Sequence, residues 1–208
     1  MRIIIVVNVN TSESMTGVIG EAARRHALAG TEIIALRPYF GAEAVDCNFE
    51  SYLSAVAVMD RVIGYDESYD AVVLAGFGEH GRDGLQELIE APVVEICEAS
   101  AHVAMMIGRA YSVVTTLQRS VPAIEDRLRL AGLSDRCASV RASGMSTREV
   151  DEDPGRAVLA VVGLGLRTSK VSTYAPPDAK KITAWPLSTA LGLRPAAAGD
   201  GPAGGVAR

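Results

Sequence analysis

The sequence predicts an α/β fold with mostly parallel, open sheets, and three observations carry that expectation. Short runs of Val, Ile and Leu alternate with longer amphipathic stretches through the first two thirds of the chain. Those runs are continuously apolar rather than alternating, as strands covered on both faces are. The connections between them are short, the pattern of strand–helix–strand units.

Each element follows in order. Ile3 to Val7 is a continuous apolar strand, and 12–29 is a helix with Thr11 or Ser12 to cap it and Gly30 to end it. Thr31 to Leu36 is a second strand. A polar stretch, 38–48, leads into a helix over 50–64. A third strand over 69–75 is followed by a helix over 82–90, and a fourth strand over 92–96 by a short apolar helix over 99–107. Tyr111 to Thr115 is a fifth strand. An amphipathic helix over 120–130 tolerates Pro122 in its first turn, and 138–142 is a sixth strand. Beyond this the pattern weakens. Residues 147–156 are polar and acidic, and 157–166 is an apolar segment expected to be a helix. From Pro176 the chain is rich in Pro and Ala and ends in a low-complexity stretch expected to be disordered.

Composition narrows the function classes. The 208 residues suffice for one α/β domain or two small lobes. A formal net charge of −5 gives no reason to expect nucleic acid or an anionic membrane as partner. No apolar run approaches the roughly 20 residues that span a bilayer. The opening apolar run is too short for a signal-peptide core, so a cytoplasmic protein is expected. Cys47, Cys97 and Cys137 have no metal-type spacing, so neither a zinc site nor a disulfide framework is expected.

Three segments stand at the C-terminal ends of strands, where open α/β sheets bind ligands. Asn8, Asn10, Thr11 and Ser12 place two amides and two hydroxyls at a helix N-terminus, a setting suited to a carboxylate or imide. Ordinary capping explains Thr11 and Ser12 equally well. Gly76-Phe77-Gly78-Glu79-His80-Gly81 has the spacing of a dinucleotide-binding loop. It follows the third strand rather than the first, however, and no acidic residue stands where a ribose would need one; a tight turn explains the glycines as well. Thr115 and Thr116 form a second candidate anion site. Glu98 and His102, four apart, share a helix face and make a weak pair of metal ligands or a surface pair.

The same segments carry a family resemblance. The NVNTS loop, YDAVVLAGFGEHG, PVVEICEASAHVAMMIGRAYSVVTT, AGLSDRCASVRASG and the later GLGLRTSKVSTYAPPDAKKITAWP resemble hydantoin and allantoin racemases of the Asp/Glu racemase superfamily. The resemblance runs from Met1 to about Pro186. It implies two pseudosymmetric α/β lobes and a small substrate, a hydantoin, allantoin or amino-acid derivative. It also implies cofactor-independent chemistry in which one cysteine thiolate removes the α-proton and a second thiol returns one to the opposite face. A cysteine suits this because its pKa can be tuned towards neutrality. Asn8, Asn10 and Thr11 then belong to the first substrate loop, Phe77 to the turn beside the first cysteine, and Thr115 and Thr116 to the anion site of the second lobe.

The chain departs from the pattern at its chemical centre. Where relatives have Ala-Cys-Phe it has Ala75-Gly76-Phe77, so Gly76 holds the position of the first cysteine. The second cysteine is expected in a strand downstream of DEDPGRA, but that stretch runs directly into the apolar segment 158–166. The missing piece corresponds to a βαβ unit, on the order of 30 residues. The expected organisation is therefore a first lobe of 1–97 plus 157–186, a truncated second lobe of 98–156, and a tail of 187–208. His80, Glu79 and Cys97 are candidate replacements: His80 as base, Glu79 as its orienting partner or as the base itself, and Cys97 if it faces the cleft. The plainer alternatives are a solvated turn for the first two and a core cysteine for the third. Lost strands would leave apolar faces exposed, so the second lobe is expected to be repacked, loosened or buried against a partner subunit, and a homo-oligomer is expected. The alternatives are an inactive paralogue that binds ligand or serves a structural role, and a nucleotide-binding protein using 76–81.

Overall fold

The computed structural model describes residues 1–153 and Arg156. Its elements are β1 (Arg2–Val7), α1 (Glu13–His26), β2 (Thr31–Leu36), α2 (Asn48–Ile63), β3 (Ala71–Leu74), α3 (Arg82–Leu88), β4 (Val93–Glu95), α4 (Ile96–Ile107), β5 (Tyr111–Thr115), α5 (Val121–Leu130), β6 (Cys137–Ala142) and α6 (Thr147–Glu152). One sheet has the order β2-β1-β3-β4 and the other pairs β5 with β6; every pairing is parallel. The α/β expectation therefore holds. All described residues fall within one compact unit, Met1–Leu166. Segments 157–186 and 187–208 of the expected organisation lie outside the described residues, as does the predicted helix over 157–166.

One face of the first sheet is closed by α2 and α3. Ile5, Val7, Val72 and Leu74 point into a core with Val58 and Val62 from α2 and Leu85 from α3. The other face is only partly covered by α1, which leaves an apolar groove lined by Ile4, Val6, Ile33 and Val73. The second sheet has a smaller core of Cys97 and Ala101 from α4, Val113, Ile124 and Leu128 from α5, and Leu133.

Boundaries differ from the sequence reading for local reasons. Helix α1 stops at His26, where Ala27 turns extended and donates its N–H to Arg24 O, so 27–30 form the turn into β2. Helix α4 starts three residues earlier than expected, because the Glu95 carboxylate accepts the Glu98 N–H and caps it directly from the strand. The 147–156 stretch contains α6, whose Ser146 and Glu149 form a reciprocal capping box. No helix among the described residues is long and apolar enough to cross a membrane.

Candidate active site

Strand order reverses direction between β1 and β3, since β2 lies outside β1 and β4 outside β3. Open parallel sheets bind ligands in the crevice outside such a switch point. The two loops flanking it here are 8–12, after β1, and 75–81, after β3. Two of the three predicted segments thus meet at this switch point, where Val9 packs against Gly76.

In the first loop Asn8 and Asn10 are buried, and their amides are spent on the loop itself. Asn8 Nδ2 donates to Asn10 Oδ1 at 2.8 Å and to Thr16 Oγ1 at 3.0 Å, while Asn10 Oδ1 also accepts the Ser12 N–H at 3.0 Å. The pair shapes the entry to α1, and Ser12 caps that helix by accepting the Met15 N–H. Thr11 is the half-buried member of the loop. Its N–H is held by Ala42 O, and its side chain lies towards Gly41. Nearby, Ser14 donates to Asp151 and Thr147 to Asp46, so α6 is tied back to the start of α1 and to the loop after β2.

The second loop is built around His80. A Cβ placed on Gly76 would lie 2.6 Å from His80 Cδ2 and 2.5 Å from Val9 Cγ1, so the imidazole and Val9 occupy the space that a side chain at 76 would need. His80 is 7% exposed. Burial holds its pKa down, to about 4, so the ring is neutral near pH 7. The group beside its Nδ1 is Ser51 Oγ, at 3.3 Å, and that hydroxyl also donates to Glu79 O at 2.8 Å. The expected orienting role of Glu79 is corrected here: its carboxylate accepts the Gly81 N–H and faces Arg127, not the imidazole. Gly81 itself is required, having φ of 93° and no room for a Cβ beside Ala55 O.

Other predicted residues fall elsewhere. Phe77 packs against the core of the second sheet and so joins the two sheets. Cys97 is not at a strand end but inside the first turn of α4 with no exposure. Burial, then the nearby Glu95 charge, push its thiol up to about 12, so it is no thiolate at neutral pH and no replacement base. Thr115 ends β5 and Thr116 follows it, their carbonyls accepting the Ser143 and Gly144 N–H groups. Neither threonine is hydrogen-bonded to loops 8–12 or 75–81 among the described residues. Glu98 is engaged by Arg82 at 2.7 Å and Arg127 at 3.1 Å, whereas His102 on the same helix is exposed; the pair is not a metal site.

The nucleotide reading of 76–81 fails on the same geometry. The glycines give room to His80, Val9 and Ala55 rather than to a pyrophosphate, and α3 behind them has seven residues.

Two features escaped the sequence reading. One is Ser51. The other is Arg127, buried where Glu79, Asp83, Glu95 and Glu98 converge at 3.1 to 3.8 Å from its guanidinium. Glu95 is fully buried with Oε2 unpartnered, and burial raises its pKa against the lowering effect of the Glu98 N–H. A signal existed: Arg127 interrupts the Val121, Ile124, Leu128 stripe of α5, and Glu95 interrupts an apolar strand.

The fold and crevice define an open α/β protein of the switch-point type, with a neutral histidine where the β3 loop closes over β1. The profile of the Asp/Glu/hydantoin racemase family matches residues 4–168, and the chain belongs to that family. It is 34% identical over 150 residues to a hydantoin racemase of Pseudomonas sp. (strain NS671), and 34% identical over 152 residues to one of Rhizobium meliloti. Those matches take in 72% and 73% of this chain but only 60% and 63% of the relatives, so the chain spans less than two thirds of their length. Among solved structures, an allantoin racemase from Pseudomonas fluorescens superposes with a TM-score of 0.74 and 50% identity, covering 86% of this chain and 99% of that one. An allantoin racemase from Klebsiella pneumoniae gives 0.75 and 28%, covering 88% and 96%.

Proposed function

We propose that the chain binds a small cyclic ureide of the hydantoin or allantoin type, or a related amino-acid derivative, at the β1/β3 crevice, and exchanges its stereocentre proton slowly and from one face. Family membership supports the substrate class. The observation that carries the one-sided chemistry is Gly76: it stands at the expected position of the first cysteine, and the His80 imidazole fills the space above it. A base whose conjugate acid titrates near 4 pulls weakly on a carbon acid, hence the slow exchange. In this reading Thr11 contacts the substrate from the rim and Asn8 and Asn10 hold the loop. Thr115 and Thr116 offer hydroxyls from the second lobe, and the second cysteine is lost with a missing βαβ unit after 156. The reaction needs no cofactor.

The protein is proposed to be cytoplasmic and homo-oligomeric. Exposed Val103, Met106 and Ile107 on α4 and Leu130 on α5 support an interface there. A second reading, a ligand-binding paralogue without turnover, is favoured by the protonated, buried state of Cys97.

Proton NMR in D₂O separates the two. With allantoin and 5-substituted hydantoins, the α-proton signal should decay above the buffer rate, and His80→Gln should bring the rate back to buffer. Exchange unaltered in that variant removes His80 from the chemistry. No exchange from the folded wild-type protein leaves the binding reading.

A further inference from the structure

We infer that Ser51 is a positioning residue that fixes the tautomer of His80, so that an unprotonated Nε2 faces the β1/β3 crevice as an acceptor for the ring N–H of an uncharged ligand. The inference rests on the binding site proposed above and assigns its specificity. Ser51 Oγ has one proton, and Glu79 O at 2.8 Å takes it. The contact at 3.3 Å between Ser51 Oγ and His80 Nδ1 is then complete only if Nδ1 carries the hydrogen and the hydroxyl oxygen accepts it. A neutral imidazole with its proton on Nδ1 has a lone pair on Nε2.

The ring edge that carries Nε2 lies at the switch point. The Cδ2–Nε2 edge lies against the Gly76–Gly78 turn, 2.6 Å from a Cβ position on Gly76 and 3.5 Å from one on Gly78. Nε2 has no hydrogen-bond partner among the described residues. Nor, among the described residues, is it one of the fully shielded atoms without a hydrogen-bond partner, Arg82 Nε, Glu95 Oε2 and Arg127 Nε. It is the polar atom of a buried side chain that remains open to a ligand.

A lone pair held this way discriminates by chemistry. It accepts from an imide or ureide N–H and repels a carboxylate oxygen, which has no hydrogen to give. A ligand that presents a ring N–H to this atom is therefore bound in preference to one that presents only a carboxylate, and the proton exchange proposed above uses the same lone pair in a second pose, with the C–H turned to it in place of the ring N–H.

The experiment uses histidine-¹⁵N-labelled full-length protein and two-bond ¹H–¹⁵N correlation spectra, with His80→Gln to assign the His80 signals. The probes are 5,5-dimethylhydantoin, its fully N-methylated analogue, and succinate. The wild type should show the Nδ1–H tautomer. Dimethylhydantoin should shift the Nε2 resonance, and the other two probes should not. Ser51→Ala should mix the tautomers and weaken dimethylhydantoin binding roughly three- to tenfold, the usual range for one hydrogen bond, and Ser51→Thr should restore both. An Nε2–H tautomer in the wild type overturns the inference whatever binds. So does a Ser51→Ala protein with an unchanged tautomer, and so does dimethylhydantoin binding, seen on other resonances, without an Nε2 shift. That last result leaves the binding site standing, whereas no binding by dimethylhydantoin refutes the site and the inference together.

Discussion

The four-stranded sheet closes its core with its own parts, whereas the two-stranded sheet borrows from its neighbour. In the first, β1 and β3 are central, and α2 and α3 bury Ile5, Val7, Val72 and Leu74 completely or nearly so. In the second, no residue of β6 is fully buried, and β5 buries only Val113. Two parallel strands and their crossover helix are too little to stand alone in water. The shortfall is made up by α4, which runs out of β4 without a loop, by Phe77 from the β3 loop, and by the Arg127 ion cluster. The crevice thus depends on a joint as well as on a scaffold.

Breaking the joint should have the largest effect. Arg127→Met removes the only cation in contact with fully buried Glu95 among the described residues, leaving Glu98 and Asp83 to Arg82 and Glu79 and Glu95 with no cation partner there. Stripping one partner from a buried pair costs about 3–5 kcal/mol, measurable as a fall in the urea midpoint. Adding Glu95→Gln to Arg127→Met should recover part of the loss. If Arg127→Met alone is neutral, the second sheet is held by apolar contact with Phe77 and α4, not by charge.

The first sheet is tested through pH. His80 has a folded pKa of about 4, below the roughly 6.5 of an unfolded histidine. Between those values the unfolded chain holds more protons, so stability falls as pH drops from 6.5 towards 4 and is fully present above 6.5. The ceiling on this contribution is about 3 kcal/mol. His80→Gln should flatten that part of the stability–pH curve, and an unchanged slope would place the imidazole in water.

How much of this was legible depends on how local each signal is. Alternating apolar runs and amphipathic stretches reveal β1 to β6 because burial on a sheet is written into consecutive residues. The loops 8–12 and 75–81 were legible as a candidate site for the same reason, since each follows a recognisable strand. What stayed hidden is non-local. Ser51 lies 29 positions from His80, and Arg127 meets Glu98 across the same interval; no spacing rule brings such pairs together. Of the two readings of Cys97, the core cysteine holds, because the Glu95 side chain starts α4 without a loop and the chain just after the strand is already in a buried helix turn.

Restoring a side chain at the β3 switch point should cost less than either change above. In Gly76→Cys the new Cβ must displace both Val9 and the His80 ring, each closer than 3.0 Å to its ideal position. Overpacking of this kind costs about 1–3 kcal/mol. Gly76→Cys with His80→Ala should regain only part of it, because both Val9 methyl groups, at 2.5 and 2.7 Å, still crowd the new Cβ. If the single variant is as stable as the parent, the ring has another resting place, and its fixed presentation of Nε2 is lost with it.

The smallest expected effect is at the return from the second sheet to the first. Ser146 accepts the Glu149 N–H while Glu149 accepts the Ser146 N–H and hydroxyl, a reciprocal cap on the six residues of α6. So short a helix has little stability of its own. Ser146→Ala should cost about 1 kcal/mol. The loss should appear first as faster amide exchange at Glu149 and Val150, not as a lower global midpoint. Thr147 and Asp151 in the same segment bond to Asp46 and Ser14, so loosening it should also speed exchange at the Thr147 amide, which donates to Asp46. Faster exchange confined to 149 and 150 would show the cap to be local. Faster exchange reaching Thr11, whose N–H is held by Ala42 O, would show that the return segment braces the rim of the crevice.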